Sequence, residues 1–164
     1  MGSSVVNTLV SLNVNGRDRQ LIASPGLTLL SAVRDELGLT GAGRGCADGS
    51  CGACTLLVDG APTLSCLVPV VTVEGERIRT IEGEATDGAL TAVQQAFIDD
   101  YATQCGFCTS GMILVATALL ESNTTPTRDD VNAALCGNVC RCTGYQPIVQ
   151  AVLTAAITMT GASS

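Results

Sequence analysis

The chain contains no histidine, no tryptophan and no lysine among its 164 residues. Without histidine the commonest general base, the Ser-His and Cys-His nucleophile pairs and every imidazole-ligated metal site are excluded. Aromatic residues make up only 2% of the chain, which leaves little to stack on bases or sugars. The eight cationic side chains are all Arg and are outnumbered by fifteen acids. The formal net charge of -7 would repel a nucleic-acid backbone instead of releasing its counterions. No apolar run reaches the length of a membrane span, the greasiest, Met112 to Leu120, being interrupted by Thr117. Met1-Gly2-Ser3-Ser4 has neither the charged start nor the apolar core of a signal peptide, so the expected compartment is the reducing cytoplasm.

Small apolar residues and sulfur are abundant instead. With 46% hydrophobic and 14% charged residues the chain can fill a core, built from Ala, Val, Leu and Ile. Its length fits one compact domain or two small ones, and the pattern favours two. The first half reads as sheet with one helix. Val10, Leu12 and Val14 alternate as a strand, Asn15-Gly16 is a hairpin signal, and Arg17 to Ala23 returns as the partner. Leu29, Leu30, Val33 and Leu37 share a helical face that Gly38 is placed to end. A strand at Thr55 to Val58, a turn at Asp59-Gly60 and a short strand around Arg77 to Ile81 complete this half. The second half changes period. Leu90, Val93, Phe97 and Tyr101 recur at helical spacing, and Gly111 to Leu120 reads as a mostly buried helix. Thr127 and Asp130 form a capping-box pattern for a helix to about Leu135, and Pro147 opens a last helix to roughly Thr158. The four helices predict a small bundle, with the seam near Glu82 to Asp87.

Nine cysteines carry the functional argument. Cys46, Cys51 and Cys54 are spaced C-x4-C-x2-C, with Cys66 eleven residues on, the spacing of a plant-type 2Fe-2S site. Gly41, Gly43, Gly45, Gly49 and Gly52 surround them, as a loop requires if its backbone N–H groups are to approach an anionic cluster. Cys105-x2-Cys108 and Cys140-x-Cys142 make a second set of four, each pair just ahead of a predicted helix whose positive end favours thiolates. Disulfides are disfavoured by the odd count and the ligand-like clustering. Structural zinc is disfavoured because ribbon sites pair two C-x2-C knuckles 15 to 20 residues apart, whereas about fifty separate Cys54 from Cys105. Cys136 falls outside both sets and reads as a small buried side chain.

Three segments resemble the iron-sulfur small subunit of the molybdenum hydroxylases, the xanthine oxidase family: Gly45-Cys46-Ala47-Asp48-Gly49-Ser50-Cys51-Gly52-Ala53-Cys54-Thr55, then Gln104-Cys105-Gly106-Phe107-Cys108-Thr109-Ser110-Gly111-Met112, then Gly137-Asn138-Val139-Cys140-Arg141-Cys142-Thr143-Gly144-Tyr145. The likeness covers nearly the whole chain in the right order. It implies an α+β protein: a β-grasp, plant-type ferredoxin-like domain over residues 1–81 and a four-helix-bundle 2Fe-2S-binding domain over 82–164. It implies that Cys46, Cys51, Cys54 and Cys66 ligate the cluster nearer a flavin, and Cys105, Cys108, Cys140 and Cys142 the cluster near molybdopterin. Gln104 and Cys142 match positions that touch the pterin in the family. The implied partners are a Mo-binding large subunit and an FAD-binding medium subunit, arranged as a dimer of heterotrimers. Ser110 stands where the family commonly has Pro, Cys136 where a small or polar residue is expected, and Ala47-Asp48 replaces a commoner pair.

On this reading the chain is the electron-transfer subunit of an oxidoreductase complex and makes no bonds itself; it holds two clusters at tunnelling distance and sets their potentials. Arg141, between two ligands, is read either as offsetting cluster charge or as an ordinary exposed cation. The substrate pocket lies on another chain, with an N-heterocycle or an aldehyde the expected substrate and carbon monoxide also open. The rival readings are a free ferredoxin-like carrier, for which the helical half is superfluous, and a zinc-stabilised interaction module.

Overall fold

The computed structural model describes residues 6–161. The signal-peptide reading of residues 1–4 lies outside that range. Val10, Leu12 and Val14 point into the core from β1 (Thr8–Val14), and Leu21 and Ala23 from β2 (Arg17–Ala23). The two strands are joined by Asn15-Gly16, both at positive φ, the two-residue turn whose twist suits a hairpin. Asp59-Gly60 makes the same kind of turn between β3 (Thr55–Val58) and β4 (Ala61–Leu64). Pro62 is tolerated in β4 because that strand lies at the sheet edge. β5 (Arg77–Arg79) lies between the hairpins, parallel to β1 and antiparallel to β3, in the sheet order β2-β1-β5-β3-β4.

The expected helix after Pro25-Gly26 is one α-helical turn, α1 (Leu29–Ser31), continued as a π-helix over Ala32–Glu36. The wider winding is seen in the Leu37 N–H donating to Ala32 O, five residues back, at 3.1 Å. The Arg34 guanidinium donates to the carbonyls of Thr40 and Ala42 and so pins the start of the glycine-rich loop.

Four helices follow: α2 (Ala92–Asp99), α3 (Thr109–Ser122), α4 (Arg128–Leu135) and α5 (Gln146–Gly161). Capping boxes open α2, through Thr91 and Gln94, and α4, through Thr127 and Asp130. Leu90 and Tyr101, which fitted the helical spacing, lie outside α2 and are exposed. The Thr91 cap starts the helix after Leu90, and Tyr101 sits at φ 53 beyond its end. The core is in two parts. One is formed by the sheet, α1 and its continuation, with Leu114 of α3. The other is formed by α2 to α5 around Phe97, Met112 and Ile148. Because α3 serves both, it is buried almost all round, as its unbroken apolar sequence requires. Among the described residues no helix is long and apolar enough to cross a membrane.

Candidate metal centres

All nine cysteines are free thiols. Eight are gathered as two sets of four, and each set is made of two neighbouring pairs. In the first set Cys51 lies beside Cys46, and Cys66 lies beside Cys54. The Cys46–Cys51 pair is half-buried and the Cys54–Cys66 pair is buried. In the second set the exposed Cys142 lies beside the exposed Cys105, and the buried Cys108 beside the buried Cys140. Each set thus has an outer and an inner pair.

Local structure explains the placement of the first set. The buried Ser65 hydroxyl donates to Cys54 O at 2.6 Å, and Leu30 N–H donates to Ser65 O at 3.0 Å, which holds Cys66 beside Cys54 across eleven intervening residues. A Cβ at Gly45 would lie 2.8 Å from Cys51 Sγ, so only glycine lets the backbone approach that sulfur. A cluster of thiols in a glycine-lined nest fits an anionic iron-sulfur group, which is ligated by four Cys thiolates and steadied by nearby N–H groups. Ala47, where the family pattern differs, adopts φ 60, a left-handed conformation that glycine takes more easily.

The thiols differ in acidity for identifiable reasons. At Cys46 the Asp48 carboxylate raises the pKa, but the Asp48 N–H, the Ser50 hydroxyl and the Cys51 thiol outweigh it and bring the value to about 7. Asp48 in turn is held down to about 2 by hydrogen bonds from Cys46 and Ser50. Burial, with the Cys54 contact added, pushes Cys66 up to about 11. The acidities of the second set follow local hydrogen bonds and burial, not the helix ends that the sequence suggested. Cys105 is lowered by the Phe107 N–H, and at Cys140 the Thr143 hydroxyl and neighbouring amides overcome burial. Burial pushes Cys108, the N-cap residue of α3, up to about 12, and Cys142 is raised by its bond to Cys105.

The two nests are fastened to each other. Val139 N–H donates to Cys51 O at 2.9 Å, and the buried Asn138 amide donates to Gly52 O at 2.9 Å. A Cβ on Gly52 would meet Gly137 O at 2.3 Å, and Gly52 is at φ +70, so the seam closes only on glycine. Tyr145 extends the junction, its hydroxyl accepting from Cys140 N–H at 2.8 Å and donating to Asn138 O at 3.2 Å. The role of Asn138 was not legible in the sequence, where it reads as an ordinary loop residue. Gln104 and Arg141 are both exposed, beside Cys105 and between Cys140 and Cys142. Cys136 is exposed as well, contrary to expectation: it caps the C-terminus of α4, one residue past buried Leu135, and so turns off the helix's apolar stripe.

Residues 12–90 match the family described as the 2Fe-2S iron-sulfur cluster binding domain, and residues 80–153 match the [2Fe-2S] binding domain. The chain is 49% identical over 146 residues to the nicotine 6-hydroxylase small subunit of Paenarthrobacter nicotinovorans, covering 89% of this chain and 88% of that one. It is 47% identical over 146 residues to the xanthine dehydrogenase iron-sulfur-binding subunit of Escherichia coli O157:H7, covering 88% and 91%. The crystal structure of quinoline 2-oxidoreductase from Pseudomonas putida 86 superposes with a TM-score of 0.89 at 42% identity, over 94% of this chain and 98% of that one. Two 2Fe-2S-binding domains on one chain make this an iron-sulfur subunit of an oxidoreductase. More particularly, it belongs to the iron-sulfur small subunits of the xanthine oxidase family of molybdenum hydroxylases.

Proposed function

We propose that Cys46, Cys51, Cys54 and Cys66 hold one 2Fe-2S cluster, that Cys105, Cys108, Cys140 and Cys142 hold the other, and that the chain relays electrons from the Mo cofactor of a large subunit to FAD on a medium subunit. The observation that carries this reading is the two-by-two pairing of thiols in each set, since a 2Fe-2S cluster divides four thiolates between two irons. Such a cluster supplies one-electron uptake and release.

The chain's own surface gives each set access to a different partner. The outer pair Cys105–Cys142 opens at the surface beside Gln104, where a partner's pterin can reach Gln104 and Cys142. The half-buried Cys46–Cys51 pair gives the other set its outlet, toward the flavin partner. The seam of Val139 on Cys51 and Asn138 on Gly52 fixes the spacing between the two sets, which tunnelling depends on steeply. We divide the chain at residues 81 and 82 into a β-grasp ferredoxin-like domain and a four-helix bundle.

The substrate is an N-heterocycle oxidised on another chain, a reading supported by relatives named for nicotine, xanthine and quinoline. The complex is a cytoplasmic dimer of heterotrimers. Cys51→Ser and Cys108→Ser, each introduced into the whole complex, should each lose one cluster and abolish turnover with a flavin-side acceptor. Normal turnover with one cluster missing would refute the relay.

A further inference from the structure

The hydrogen atoms around Cys140 Sγ single out one more residue. Thr143 Oγ1 lies 3.1 Å from Cys140 Sγ and accepts the Tyr145 N–H at 3.2 Å. With the oxygen already accepting, the hydroxyl proton is free to be donated, and a cysteine that holds iron is a thiolate with no proton to give. In the loaded protein Thr143 is therefore the donor of this pair. The N–H of Cys140 itself is turned away, to Tyr145 Oη at 2.8 Å.

The first set has a hydroxyl of its own, Ser50 against Cys46, but it works on an exposed loop and against the Asp48 carboxylate. Cys140 is buried and faces no carboxylate among the groups that bond to it, so the Thr143 dipole acts with little screening.

Resting on the ligand assignment proposed above, we propose that the Thr143 hydroxyl raises the reduction potential of the second cluster by donating to the Cys140 thiolate. Reduction adds one negative charge to the cluster, and a more negative sulfur accepts a hydrogen bond more strongly, so the bond stabilises the reduced form more than the oxidised one. Thr143 acts through Cys140 and is a positioning residue, with no contact to substrate.

The test is a redox titration, followed by electron paramagnetic resonance, of the complex purified with its partner chains. The first cluster serves as the internal reference. Thr143→Val should shift the reduction equilibrium of the second cluster about tenfold toward the oxidised form, ~59 mV lower for one electron, and leave the first in place. Thr143→Ser should restore the original potential to within about threefold, or ~30 mV. If Thr143→Val loses its second cluster, Thr143→Ala carries the same expectation. An unmoved second cluster, equal shifts in both, failure of serine to restore, or loss of the cluster in both the Val and Ala variants would each overturn the tuning role. Absence of two clusters from the unsubstituted complex would instead refute the ligand assignment.

Discussion

Glu84 carries a carboxylate that is 2% exposed, held by Arg79 through Nη2 at 2.9 Å and Nε at 3.2 Å. The same guanidinium reaches the open Glu121 at 2.7 Å. Removing the cation strands one buried charge, whereas removing Glu121 breaks only a solvated contact. Arg79→Gln should therefore cost about 3 kcal/mol. Glu121→Gln should cost less than about 1 kcal/mol, both read from urea unfolding midpoints. Equal effects would mean that Glu84 finds another partner. Single residues were unevenly legible in the sequence. Cysteine spacing announced both sets because ligand geometry constrains the intervals along a chain, but the Ser65 bond that keeps Cys66 near Cys54 and the Asn138 bond that ties the two loops are long-range contacts that no local pattern records. Cys136 was misread because a small apolar residue beside a buried leucine looks like core until the helix phase is known.

At the scale of elements, α4 is short and owes much to its first turn. The Thr127 hydroxyl accepts from Asp130 N–H at 3.2 Å, and Asp130 Oδ2 accepts from Thr127 N–H at 2.8 Å. Thr127→Ala should cost about 1 kcal/mol in urea unfolding. The Thr127 hydroxyl and N–H hold the Asp130 carboxyl below the usual carboxylate range. A lowered folded pKa means that its contribution is complete above the ordinary value and is lost as pH falls through the lowered one. The difference between the native chain and Asp130→Asn should thus be constant down to about pH 4 and shrink below it. A difference that grew on acidification would contradict the cap. Hairpins, capping boxes and the long α3 were legible because turn chemistry and periodicity act over a few residues. The π winding after α1, seen in the Leu37 N–H bond to Ala32 O, was not, since no local residue pattern distinguishes it from α, nor was the edge strand containing Pro62.

The whole molecule depends on the seam between its two nests of thiols. Asn138 is 4% exposed and bonds to Gly52 O from 86 residues away, a contact that ties the glycine-rich loop to the segment leading into Cys140. Asn138→Leu removes one of the donors to Gly52 O, which keeps the Thr55 N–H at 3.0 Å and the Thr55 hydroxyl at 2.7 Å, and should cost about 1 kcal/mol, with faster hydrogen exchange at the Val139 amide as the local readout. Unchanged exchange at Val139 would mean that the seam is held by backbone alone. The central claim, two 2Fe-2S clusters on this chain serving a molybdenum partner, is tested most directly by the metal content of the complex purified with its native partners. The account predicts about four iron atoms and about one molybdenum for each copy of this chain. Zinc in place of iron in anaerobically handled protein, or iron sufficient for a single cluster, would contradict it.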